Sequence, residues 1–83
     1  MLNPLTGAQI RAGRALVDWT GAQLAEAAGV SLQTIRRMEG DVGTGRSSVA
    51  NVQAVRRALE DAGVVFLEAD DANAVGPGVR LRL

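Results

Sequence analysis

The chain has no cysteine and no histidine among its 83 residues. That rules out disulfide staples and the usual zinc ligands as supports for a short domain. It also removes the thiol nucleophile and the imidazole general base, the commonest tools of enzymatic acid–base chemistry. No run approaches the ~20 apolar residues of a membrane span. The N-terminus lacks a positive segment followed by an apolar one, so no secretory signal is expected and a cytoplasmic location is. Neither a metal nor a cofactor is expected, and no acid–base pair or metal cluster argues for an enzyme.

Lysine is missing as well: all nine basic residues are arginine, against nine acids. Arginine forks onto phosphate and guanine more readily than lysine does. A biased base composition of the gene would give the same preference, so the placement of charge is more telling than its identity. Residues 1–57 hold seven arginines against four acids, a net +3, and residues 58–83 hold two against five, a net −3. A basic body therefore precedes an acidic tail. A single domain of this length buries only about 60% of its unfolded surface, which leaves oligomerisation as the expected further support.

Thr6-Gly7-Ala8-Gln9 reads as a capping box that opens a first helix. Ile10, Ala12, Ala15, Leu16 and Trp19 then recur at roughly helical spacing. Thr20-Gly21-Ala22-Gln23 repeats the capping pattern before a second helix over 21–28, with Gly29 suited to a left-handed C-terminal position. Ser31 is a good N-cap for a third helix over 32–39. In it Ile35 and Met38 point inward, and Gln33, Arg36 and Arg37 share the other face. A Gly-rich loop, 40–47, leads to a fourth helix ending near Ala62, with Val49, Val52, Val55 and Leu59 as its apolar stripe. Val64–Leu67 suits a strand, 68–78 a loop, and the alternation of 79–83 a second strand.

The fold expected is mainly α: four helices in a repressor-like DNA-binding domain containing a helix-turn-helix, with a short C-terminal two-strand β segment. Residues 1–63 form the DNA-binding domain and 64–83 a dimerisation or core-covering element. A helix-turn-helix needs a small residue where its helices meet and a turn residue free to adopt positive φ. Ala25 and Gly29 supply them, and Val30, Ile35 and Met38 join the second helix to the first.

On these residues the chain resembles the Xre-type helix-turn-helix family of phage repressors and small bacterial regulators. The match runs through Ile10, Arg14-Ala15-Leu16, Trp19-Thr20, Leu24-Ala25, Ala28-Gly29-Val30-Ser31, Thr34-Ile35, Met38-Glu39-Gly40 and Ala58-Leu59, over about residues 8–62. The resemblance implies a recognition helix starting at Ser31, with Leu32, Gln33, Arg36 and Arg37 at base-reading positions in the major groove. Their chemistry fits: Gln pairs with adenine, Arg with guanine, and an apolar side chain touches the thymine methyl. Thr20, Gly21, Ser31, Thr34, Arg46 and Ser47 are expected on phosphates, where they fix register and add salt-dependent affinity. The resemblance further implies a structural ion pair between Arg14 and Glu39, costly to break by ~3–5 kcal/mol if truly buried. Two departures stand out. The family often has Gln at the position of Gly21, and the loop after the recognition helix, often basic, is here mostly glycine with Asp41.

Gly40–Ser47 also spells a near-match to a phosphate-binding P-loop, but Arg46 stands for its lysine and a helix, not a strand, precedes it. Double-stranded DNA is thus the expected partner, and a homodimeric repressor the expected role, since a lone recognition helix contacts few base pairs. The tail strands could form a sheet that pairs across the twofold axis, or a hairpin that only covers its own core. A different role, an antitoxin-type module that binds a protein partner as well as DNA, is motivated by the acidic tail.

Overall fold

The computed structural model describes residues 5–83. It contains four helices, α1 (Gly7–Leu16), α2 (Gly21–Ala28), α3 (Leu32–Glu39) and α4 (Val49–Asp61). Two strands follow, β1 (Val64–Leu67) and β2 (Gly78–Leu81), separated by a 3-10 turn at Asp71–Asn73. The expected architecture of four helices and a C-terminal pair of strands is the one observed. No helix among the described residues is long and apolar enough to cross a membrane.

Local chemistry sets the helix boundaries. Thr6 and Thr20 each close a full capping box, with Gln9 and Gln23 as the reciprocal partners. Ser31 and Ser48 cap α3 and α4 by accepting from Thr34 N–H and Asn51 N–H. Gly29 ends α2 at φ +71°, where a β-carbon would be strained. The end of α1 is less regular: Asp18 takes φ +57°, a conformation that short polar side chains tolerate better than most.

The core is formed by Leu5, Ile10, Leu24, Ala25, Ile35, Met38, Val55, Ala58, Leu59 and Val64. Two expected apolar stripes are narrower than the sequence spacing suggests. Helix α1 buries Gln9, Ile10 and Gly13, while Ala12, Ala15 and Leu16 face outward. Val49 is 76% exposed, because the first turn of α4 lies beyond the bundle and only Val55, Ala58 and Leu59 reach its centre. Gly13 explains the shift in α1: a β-carbon there would lie 3.3 Å from Val64 Cγ1, so the helix meets β1 along a face without side-chain bulk.

The strands pair antiparallel within the chain, Val64 opposite Leu81 and Leu67 opposite Gly78. The second strand stops at Leu81, short of the expected 83: Arg82 N–H still donates to Gly63 carbonyl at 2.8 Å, but Gly63 takes φ +108° and ends the extended run of β1. Val64 is buried, and Phe66 and Val79 pack against the core. The hairpin therefore covers its own chain's core.

Candidate nucleic-acid interface

Helices α2 and α3 are joined by Gly29-Val30-Ser31. Val30 N–H donates to Ala25 carbonyl at 3.0 Å, which folds the turn back on α2. Ala25 is buried in the core, so the two helices approach over a small side chain. Their N-termini lie side by side: a β-carbon on Gly21 would sit 3.1 Å from Leu32 Cδ1. A larger residue at position 21 would need the Leu32 side chain to give by a few tenths of an ångström.

Helix α3 is sharply two-faced. Ile35 and Met38 are buried, whereas Gln33, Arg36 and Arg37 are exposed. Among the described residues neither Arg36 nor Arg37 has a side-chain hydrogen-bond or ion-pair partner. Leu32 is placed differently from its expected companions. It is half-buried and packs against the core, so only part of its surface faces outward with Gln33 and Arg36.

The far end of α3 is clamped by α1. Arg14 Nε and Nη2 donate to the two carboxylate oxygens of Glu39 at 2.9 Å each, and Nη1 donates to Trp19 carbonyl at 3.1 Å. The hydrogen bonds to Glu39 raise the Arg14 pKa above its ordinary value. Partial burial pulls the other way, and charge attraction from Glu39 adds to the rise. Arg11 donates to the Glu39 backbone carbonyl, supplying a cation at the negative end of the helix. A β-carbon on Gly7 would lie 2.5 Å from Met38 carbonyl oxygen, so α1 begins in direct contact with the last turn of α3.

The expected phosphate-contacting residues fall into two groups. Thr20, Gly21, Ser31 and Thr34 cluster where α2 and α3 begin. There the Ser31 and Thr34 hydroxyls share a 2.9 Å hydrogen bond, and the Thr20 hydroxyl accepts from Gln23 N–H. Arg46 and Ser47 belong instead to the loop after α3. Arg46 is exposed, and Ser47 N–H donates to Thr44 carbonyl at 3.1 Å. Among the described residues no hydrogen bond or ion pair links these two to the first group.

No protein-family model matches the chain, and no curated protein does. The interface must therefore be read from its own chemistry. A helix end with open N–H groups, an outward row of Gln and two Arg, and a helix clamped at its far end make a surface that presents hydrogen-bond donors and positive charge.

Three supporting residues carry more than their sequence context indicates. Gln9 accepts from Thr6 N–H, and its amide also donates to Leu67 carbonyl at 3.2 Å and Gly78 carbonyl at 3.1 Å. A capping box accepts Glu as readily as Gln. Gln23 fills the same capping position without such contacts, so the residue type alone did not mark the second role. Thr44, buried in the Gly-rich loop, donates to Leu5 carbonyl at 2.6 Å and ties that loop to the N-terminal segment. Arg11 and its carbonyl partner had no counterpart in the spacing.

Proposed function

We propose that the chain is a sequence-specific DNA-binding transcriptional regulator, a homodimeric repressor that reads a twofold operator through α3 of a helix-turn-helix. One observation carries the reading: Gln33, Arg36 and Arg37 stand exposed and, among the described residues, without side-chain partners, on a helix whose other face is buried and whose C-terminus is held by Arg11 and Arg14. Side chains that must meet base edges need a fixed platform and free donors, and this arrangement provides both. The phosphate grip comes from Thr20, Gly21, Ser31 and Thr34 at the helix starts, with Arg46 and Ser47 on the following loop.

A single α3 reaches few base pairs, which is the argument for two copies. Removing 64–83 would not test the dimer cleanly, because the hairpin also covers the core; the oligomeric state of the intact chain is the direct measurement.

Selection of bound duplexes from a random DNA pool tests the function. The control is the double variant Arg36→Ala, Arg37→Ala. A twofold-symmetric motif that the control fails to enrich is the expected result. An asymmetric single half-site keeps the DNA reader and removes the dimer. Absence of enrichment at low salt overturns the proposal and favours a module that binds a protein partner.

A further inference from the structure

A cavity of about 490 Å³ opens on the hairpin, between α1, α4 and the loop after β1. Its volume lies within the usual range for small-molecule sites. Its walls combine three chemistries. Phe66, Leu67 and Pro77 give an apolar floor. Arg56 enters from α4, its guanidinium 5.1 Å from the centre of the Phe66 ring. Glu68 and Asp71 enter from the loop.

Arg56 is held in place but not used up. Its only ion pair among the described residues is a 3.8 Å approach of Nη1 to Glu60, too long for a hydrogen bond. The cation–π approach to Phe66 restrains the guanidinium, and no hydrogen bond occupies its donors among the described residues. Glu68 and Asp71 are exposed and have no ion-pair partner among the described residues. A site with a cation held only by a long ion pair on one element, carboxylates unpaired among the described residues on another, and an apolar floor does not suit a simple anion, which the two acids would repel. It suits a molecule bearing both charges and an apolar group.

We propose that this cavity binds an apolar α-amino acid, with the carboxylate on Arg56, the ammonium toward Glu68 and Asp71, and the side chain against Phe66, Leu67 and Pro77. The site is separate from the α3 surface and does not depend on any DNA-binding role. Gln9 lines the same cavity. Its amide already bridges the two strands, so it contributes a rigid wall rather than a ligand contact.

The test uses the intact chain and L-phenylalanine, followed by calorimetry and by amide and side-chain NMR. Saturable one-to-one binding is expected, with Kd on the order of 1 mM or tighter for a ligand of this size. The largest shift changes should fall on Phe66, Glu68 and the Gln9 side-chain amide. Capping either charge should abolish the effect, so N-acetyl-L-phenylalanine and L-phenylalanine amide serve as probes of each end. Arg56→Gln, and separately Glu68→Gln with Asp71→Asn, should weaken binding roughly tenfold or more while the far-UV spectrum is unchanged. The surface pair Glu68 and Asp71 supplies a variant that leaves the core untouched. No saturation by L-phenylalanine, equal binding of the capped compounds, or unchanged affinity in the folded variants would each overturn the assignment.

Discussion

The side-chain amide of Gln9 donates to the carbonyl of Gly78, 69 positions along the chain, at 3.1 Å. It donates also to Leu67, the residue opposite Gly78 in the ladder. One side chain thus bridges the two strands at the loop end of the hairpin while its oxygen caps α1. Gln9→Leu should leave two sheltered carbonyls and one helix N–H without partners and cost about 2–3 kcal/mol, read as a fall in thermal midpoint. Gln9→Glu keeps the capping oxygen but turns a carboxylate on two carbonyl oxygens. Its charged form is disfavoured in the fold, so its pKa rises there. The destabilisation is present above that raised value and relieved as pH falls through it, because the folded state then binds the proton. A Gln9→Glu protein no more stable at pH 5 than at pH 8, relative to wild type, would contradict this geometry.

Gly7 and Gly13 lie six residues apart on α1, on different faces, and meet different neighbours. A β-carbon on Gly7 lands on backbone oxygen of Met38, and one on Gly13 lands on the Val64 side chain at 3.3 Å. Backbone cannot yield without moving α3, whereas Val64 can shift slightly. Both substitutions to Ala gain up to about 1 kcal/mol of helix propensity. Gly13→Ala should come out near neutral. Gly7→Ala should lose about 1–3 kcal/mol from overpacking, and urea unfolding separates the two.

Arg14 and Glu39 form a two-point ion pair whose side chains are 26% and 11% exposed. That is not the fully buried pair for which a loss of ~3–5 kcal/mol would be expected. Water still reaches the guanidinium, so a double-mutant cycle with Arg14→Ala and Glu39→Ala should give a coupling of about 1–2 kcal/mol, above the range for exposed pairs. A coupling near zero would mean that the alignment of α3 rests on Gly7 and Arg11 instead.

Helix boundaries were legible in the sequence because they depend on neighbours: Thr6 with Gln9, Thr20 with Gln23, Ser31 before Leu32, and Gly29 at its left-handed turn. The two-faced character of α3 followed from spacing for the same reason. What spacing could not supply was distance in the fold. Val49 continues the stripe of Val52 and Val55 but lies past the end of the bundle. Ala12 and Leu16 fit a helical face, yet α1 is turned so that Gly13 meets Val64. Gln9, Thr44 and Arg11 act on carbonyls at least 28 positions away. A backbone carbonyl is the same at every position, so no residue pattern marks it as a partner. The paired strands were legible from composition, but their closure within one chain was not, since β-strand chemistry is the same for either partner.

The loop after β1 should respond to acid through a single carboxylate. The Asp70 carboxylate accepts from the Asn73 side chain at 2.6 Å and from Ala72 N–H at 3.1 Å. The Asn73 side-chain hydrogen bond, against an opposing desolvation and with smaller help from the Asn73 and Ala72 backbone, holds its pKa below the ordinary aspartate value. A lowered folded pKa contributes order above the ordinary value that is lost as pH falls through the lowered one. NMR titration should show the Asn73 side-chain and Ala72 amide signals moving together in that acidic range, while those of α3 stay in place. Asp70→Asn should abolish the transition, and its persistence in that variant would assign the event to another carboxylate.

Arg36 and Arg46 are both exposed and unpaired among the described residues, but they sit on different elements and should fail differently. Arg36 lies on the outward face of α3, where a base contact is directional. Arg36→Ala should cost about 1–3 kcal/mol on the preferred duplex, relaxing the preference at one base pair. Arg46 lies on a loop with glycine on its N-terminal side and, in the proposed function, meets a phosphate common to all sequences. Arg46→Ala should weaken preferred and random duplexes by similar factors and reduce the slope of log K against log salt by about 1. The two variants should therefore separate when titrations on both duplexes are run across a range of salt. If Arg36→Ala lowered affinity equally for every duplex, α3 would be gripping the backbone rather than reading bases. The sequence preference would then have to come from the shape of the DNA under the helix starts at Thr20 and Ser31.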